Sequence, residues 1–179
     1  MSPAITFRPL ARGHFPLLQK WLETPHVRAW WNDPSDLASL ESHYGPCIDR
    51  VDPTEVFLIE DAGHPIGWIQ WYRWSDNPEH AQQLGANLTS AGIDLAIGEL
   101  NSIDRGLGPA IIRQFVTEIV FSDPTNTAVF ADPQEANLRS LRAFAKAGFT
   151  ADHTVQLPGE NYNRIVVRLD RPAVSTPVA

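Results

Sequence analysis

Cysteine is almost missing from this 179-residue chain, with Cys47 standing alone. An internal disulfide is therefore excluded, and a reducing, cytoplasmic setting is expected. The first residues carry no charged-then-apolar leader pattern. No apolar run approaches the roughly 18 residues that cross a bilayer, so no membrane partner is expected. The six histidines are scattered, without an HxxxH pair or a Cys/His cluster, and no metal site is expected. Positive charge is also short: 14 Lys and Arg face 21 Asp and Glu, for a net charge of −7. A nucleic-acid partner would need a basic patch that this balance does not supply, whereas a cationic small molecule suits it. Internal repeats and low-complexity tracts are lacking, and the length suits one core. One domain over residues 1–171 is expected, with a loose tail over 172–179 after Pro172.

Hydrophobic patterning supplies the elements. Ile5 to Leu10 reads as a strand and His14 to Leu22 as a helix presenting Phe15, Leu18, Trp21 and Leu22 on one side. A short helix over His26 to Trp31 and a third over Asp36 to Ile48 follow. Val56 to Glu60 and Pro65 to Trp71 flank Asp61-Ala62-Gly63-His64 and predict a β-hairpin. Ser75 to Ser90 is polar and broken by Asn77-Pro78 and Gly85, which predicts a surface loop. Ala91 to Gly98 reads as a buried strand interrupted by one carboxylate, Asp94. A helix face recurs through Ile111, Ile112, Phe115, Val116, Ile119 and Val120 until Ser122-Asp123-Pro124 stops it. Beyond lie a strand at Ala128 to Ala131, a helix over Asn137 to Ala147 and strands over Phe149 to Leu157 and Ile165 to Leu169.

Between the Asp94 strand and the next helix runs Ile103-Asp104-Arg105-Gly106-Leu107-Gly108-Pro109-Ala110. Two glycines let backbone approach an anion, and the first N–H groups of the helix point outward at the positive end of its dipole. Pro109 fits the first turn, at the cost of one donor. The loop has neither the three glycines of a dinucleotide fingerprint nor the Gly-Lys-Ser/Thr of a P-loop. By itself it reads more readily as an ordinary strand-to-helix turn.

This loop resembles the Q/R-x-x-G-x-G/A acetyl-CoA pyrophosphate loop of the GNAT acyltransferases, with Ile103 at the leading Gln/Arg position and the glycines at 106 and 108. Further segments extend the likeness over Ile5 to Asp170: Trp21-Leu22 with Pro25-His26-Val27 and Trp30-Trp31, the hairpin Gly63 to Trp68, Gly92-Ile93-Asp94, Asp132-Pro133, Asn137-Leu138-Arg139, and Lys146-Ala147-Gly148-Phe149. Together they resemble the aminoglycoside 6′-N-acetyltransferases of that superfamily. Siderophore-synthesis N-acyltransferases share the Pro-His and Arg-Gly-x-Gly-Pro features and are the nearest alternative. Asp94 tilts the reading to the first group, since histidine is expected there in the second. A non-catalytic protein that holds a cationic sugar is the alternative from another class.

The resemblance implies an α/β (α+β) GNAT fold, a mixed and mostly antiparallel sheet flanked by helices on both faces, with a CoA cleft between splayed central strands. It implies acetyl-CoA as co-substrate and an aminoglycoside amine as acceptor, the 6′ amine or else the 2′ amine, with antibiotic resistance as the outcome. A monomer or weak homodimer is expected. Asp94 is implied as the base that takes the ammonium proton, and otherwise reads as a carboxylate on the solvent side of a strand. Main-chain N–H near Leu95, Ala96 and Ile97 would face the oxyanion. Arg105, Gly106, Leu107 and Gly108 would hold phosphate, by backbone N–H groups with only Arg105 adding side-chain charge in the loop. Arg139 is a further phosphate candidate; both arginines read equally as solvated charges. Asn137 would meet the pantetheine arm or cap its helix. Acceptor contacts fall to Trp30, Trp31, Glu79, Asp94, Asp132 and Glu160; the two tryptophans read equally as one core and one surface residue.

Phe144 occupies the position where the family helix carries a tyrosine that protonates the departing sulfur. A thiol titrates near 8.5, so thiolate is a tolerable leaving group without that acid. Phe144→Tyr is expected to change turnover by less than about tenfold. A gain of several hundredfold in steady-state rates would show that the missing hydroxyl matters.

Overall fold

A computed structural model describes residues 5–173; the expected tail lies outside them from residue 174 onward. The strands are β1 (Ile5–Pro9), β2 (Glu55–Asp61), β3 (His64–Arg73), β4 (Ala91–Ile97), β5 (Ala128–Ala131), β6 (Thr150–Val155) and β7 (Arg164–Asp170). The α-helices are α1 (Phe15–Leu22), α2 (Pro25–Arg28), α3 (Leu37–Ile48), α4 (Pro78–Leu84), α5 (Leu107–Glu118) and α6 (Leu138–Ala147). The strands form one sheet in the order β1-β2-β3-β4-β5-β7-β6. Every neighbouring pair is antiparallel except β4 with β5.

Strand periodicity explains why helices cover both faces. Successive side chains point to opposite sides, and the run Val56-Phe57-Leu58-Ile59 is buried throughout. Phe57 and Ile59 join the core under α5 and α6, while Val56 and Leu58 join the one under α1 and α3. In β5, Val129 and Ala131 face the α5 side, whereas Ala128 and Phe130 meet Trp74, Ala81 and Leu84. A sheet coated on both sides has no polar face to alternate with, so its central strands read as continuous apolar runs.

The expected loop over Ser75 to Ser90 is corrected here: it contains α4. Pro78 starts that helix in its first turn, and Gly85, with φ 65°, ends it in the left-handed region. Its polar sequence hid it because only Ala81 and Leu84 are buried, three residues apart on one side. Elsewhere the expected elements hold within a few residues at their ends. Asp36 caps α3 by accepting from the Ser39 amide at 3.0 Å.

Two features shape the centre of the sheet. The parallel β4–β5 pair meets only at Ala91↔Val129 and Gly92↔Phe130, after which the strands part. On its other edge β4 stays paired with β3 through Ile97, in register with Gly67. The far half of β4 is thus a strand with one edge unmatched.

Candidate functional site: a cleft beside β4

A cleft of about 710 Å³ opens where β4 and β5 separate. Leu95, Ala96 and Ile97 line it from the sheet, Ile103 and Gly106 to Pro109 from the loop and α5, and Asn137, Arg139, Arg142 and Lys146 from α6. His26, Trp30 and Trp31 close another side. His26 Nε2 donates to the Ile97 carbonyl at 3.0 Å, satisfying a peptide group at the end of β4. Pro25 starts α2 and so sets this imidazole in place.

The loop turns through two left-handed residues, Asp104 (φ 58°) and Gly106 (φ 73°). Gly106 relieves backbone strain there, since a Cβ would meet no neighbour within 4 Å. Gly108 answers a different need: a Cβ there would sit 3.2 Å from that of Ala143, so a bare backbone lets α5 lie close to α6. Among the described residues, the amides of Arg105, Gly106, Leu107 and Gly108 make no turn or cap bond. The free N–H groups therefore gather at the positive end of a 12-residue helix.

Like Arg139, whose guanidinium lies 3.1 Å from Asp104, Arg105 sits beside a carboxylate. Its guanidinium lies 3.8 Å from Asp61, at the end of β2, and stands outside the cleft lining. The cleft's cations come instead from α6. Arg139, Arg142 and Lys146 succeed one another at spacings of three and four, which places them on one helix face. That spacing was visible in the sequence, although only Arg139 stands among the expected residues. Asn137 caps α6 by accepting from the Ser140 amide at 3.1 Å and also lines the cleft. Phe144 points into the core, edge-on to Phe149 at a centroid distance of 5.0 Å.

Asp94 lies one residue before the cleft-lining part of β4. The residue is half-buried, with its carboxyl enclosed by protein. It accepts from Gln70 Nε2 at 3.1 Å across the β3–β4 pair, and the Tyr72 hydroxyl lies near enough to favour its charged form. Desolvation pushes its pKa up to about 6, helped by the nearby Asp132 charge and opposed by Gln70 and Tyr72. Gly92 explains how the phenol reaches this carboxylate: a Cβ at 92 would lie 2.6 Å from Tyr72 Cζ, so only glycine leaves room for the ring. The Gly-Ile-Asp sequence is thus a steric unit, a vacancy followed two residues later by the group the ring addresses.

Asp132 is 8% exposed and its pKa is raised by burial. Arg164 Nη1 donates to it at 3.1 Å, and the same guanidinium grips Glu160. His80 on α4 lies near both carboxylates. Glu79, its exposed neighbour, makes no ion pair or side-chain hydrogen bond among the described residues, so the geometry does not bring it into this group. Trp30 is 40% exposed over the cleft. Trp31 packs edge-on to Trp68 at 5.0 Å and donates to Asp33 at 2.6 Å. Gln70, Tyr72, His80 and Arg164 escaped the sequence reading because they converge from β3, α4 and β7, far apart in the chain.

The family model of the acetyltransferase (GNAT) domain matches residues 11–157. This chain belongs to the GNAT acetyltransferase family. An aminoglycoside N(6′)-acetyltransferase type 1 of Klebsiella pneumoniae is 28% identical over 160 residues, 88% of this chain and 79% of that protein. A lysine N-acyltransferase of Mycobacterium tuberculosis is 22% identical over 141 residues, covering 76% of this chain and 65% of that one. The crystal structure of the aminoglycoside acetyltransferase AAC(6′)-Ib with coenzyme A superposes with a TM-score of 0.78 at 26% identity, covering 94% of this chain and 95% of that one. The same enzyme with coenzyme A and kanamycin superposes equally well, with a TM-score of 0.78. The protein is accordingly a GNAT enzyme with the mixed, mostly antiparallel sheet of that family, which uses acetyl-CoA. Among the described residues no helix is long and apolar enough to cross a membrane.

The enclosed Asp94 carries a consequence for stability. The folded state holds its proton up to about pH 6, whereas the unfolded chain releases it near 4. The contribution of this group is therefore complete below pH 4 and is lost as pH rises from 4 to 6. Asp94→Asn is expected to stabilise the protein by about 1–3 kcal/mol at pH 7 and by far less at pH 4. Urea unfolding at the two pH values checks this; an equal change at both would contradict the shift.

Proposed function

We propose that this GNAT enzyme transfers acetyl from acetyl-CoA to an amine of an aminoglycoside, the 6′ amine by likeness to its relatives and the 2′ amine as the alternative, and so confers resistance. The observation that carries the reading is the enclosed Asp94 carboxylate immediately before the cleft-lining end of β4. A base with a pKa of about 6 is largely ionised at neutral pH, yet remains a stronger proton acceptor than an ordinary carboxylate.

In this reaction the free amides of Arg105 to Gly108 receive the pyrophosphate, and Arg139, Arg142 and Lys146 add charge along α6. Asn137 meets the pantetheine arm from its capping position. Asp94 attracts the substrate ammonium and accepts its proton, directly or through a water. The amine nitrogen attacks the thioester carbonyl, and an N–H of the unmatched β4 edge at Leu95 to Ile97 stabilises the oxyanion. Collapse of that intermediate breaks the C–S bond and expels coenzyme A as thiolate, and the second proton of the attacking nitrogen passes to that thiolate, directly or through water, leaving the neutral amide. Trp30 and Trp31 present aromatic surface to the sugar, while Asp132 and Glu160 supply negative potential around Asp94. Glu79, in the first turn of α4, remains a candidate for a distant ammonium.

The test is thiol release on mixing protein, acetyl-CoA and a panel of aminoglycosides, followed by NMR of the product to locate the new amide. A lysine-type acceptor with short- and long-chain acyl-CoA belongs in the same panel, because release with that pair alone would replace this reading by lysine acylation. Silence across the aminoglycosides would also end it.

Asp94→Ala is expected to lower turnover at least about a hundredfold while acetyl-CoA affinity, read by titration calorimetry, stays nearly unchanged. In the wild type, kcat/KM should fall below an acid limb at about pH 6, as protonation removes the base. Tyr72→Phe removes a hydroxyl that favours the carboxylate, so it should move that limb to higher pH. A limb that stays put or moves down would separate Tyr72 from the base.

A further inference from the structure

The acceptor side holds a charge for which the proposed reaction has no role. Arg164 opens β7, and its fork is fully spent. Nε donates to Glu160 Oε2 at 2.8 Å, and Nη2 to Glu160 Oε1 at 2.6 Å and to the Tyr162 hydroxyl at 3.2 Å. Nη1 donates to Asp132 Oδ2 at 3.1 Å and to the Asp132 carbonyl at 3.2 Å. The guanidinium side chain is 23% exposed, beside 7% for Asp132 and 20% for Glu160. This ion group is therefore well removed from water.

Two carboxylates named as acceptor contacts are thus already engaged by one cation of the protein's own chain, which leaves the group a single net negative charge. A substrate ammonium would approach the same oxygens at the same distances, and would have to break a bidentate, charge-assisted pair to do so. The arginine is not needed to hold β7 to the sheet, since β5 and β7 already pair through Ala128↔Asp170 to Ala131↔Val167. Asp94 lies outside the fork's five bonds and keeps its charge for the reacting amine.

We propose that Arg164 is a resident counter-cation that takes the place of a second substrate ammonium at Asp132 and Glu160, so that the site selects acceptor sugars carrying one ammonium, the reacting one. The inference rests on the aminoglycoside reading and refines its substrate class. Acceptors with hydroxyls near the reacting amine fit, because they add no second cation against the guanidinium.

Kanamycin A and kanamycin B test this, since they differ only in a 2′ hydroxyl against a 2′ amine on the ring that bears the 6′ amine. The wild type should have the higher kcat/KM with kanamycin A. Arg164→Gln, which keeps an amide donor near Asp132, should raise the B-to-A ratio by about tenfold or more, chiefly through KM for kanamycin B. Glu160→Gln removes a negative charge and leaves the arginine, so it should move the ratio the opposite way; it also decides the matter if Arg164→Gln does not fold. A ratio within about twofold of wild type in the folded variants would make Arg164 a structural clamp and overturn the proposal. If the wild type acetylates no aminoglycoside, the functional reading fails separately. Calorimetric binding of both kanamycins to wild type and Arg164→Gln then decides the arginine's role: selective gain of kanamycin B supports it, and no selective gain overturns it.

Discussion

The gap in the hydrogen-bond ladder between β4 and β5 is the constraint on which the rest of the structure depends. Two parallel pairs hold these strands together at one end, and beyond Gly92 nothing on the β5 side satisfies the β4 peptide groups. Such an edge inside a sheet is costly unless something fills it. At the end of β4 the protein supplies part of the answer, through the His26 bond to the Ile97 carbonyl. The remainder faces a cleft also bordered by the α5 N-terminus, whose own amides lack partners. Both sets of groups are suited to a polar ligand with carbonyl and phosphate oxygens.

Charge is distributed about the same strand. Arg139, Arg142 and Lys146 line the cleft from α6, while Asp94, Asp132 and Glu160 gather with Tyr72 and Arg164 in the acidic group. In the proposed reaction one substrate is a polyanion and the other a cation, so the separation limits each to its own region. The chain's net charge of −7 conceals this, because a sum over 179 residues averages away a local basic face.

The legible parts of the sequence were those whose physics is local. Hydrophobic runs located the central strands, because strands covered on both faces remain apolar over their length. Glycine and proline marked where helices start and stop, as at Gly148, which ends α6 with φ 102°. The helix α4 was missed because two buried residues in seven carry too little periodic signal. The neighbour of Arg105 was illegible for a related reason: its place beside the glycines described its backbone, while its side chain lies near Asp61, 44 positions earlier.

By itself the sequence determined the order of the strands and of every α-helix but α4, the two glycines of the turn before α5 and the carboxylate at position 94, each set by spacing or backbone freedom within a few residues. It also carried the GNAT likeness, spread over ordered segments from Ile5 to Asp170. Only the tertiary structure decided which charges are available. It sent Arg105 to Asp61, brought Tyr72 over the vacancy at Gly92 to reach Asp94, and placed Arg164 between Asp132 and Glu160. The reason is physical: a side chain's pKa and partners are set by burial and by groups brought close in space, and sequence spacing records neither.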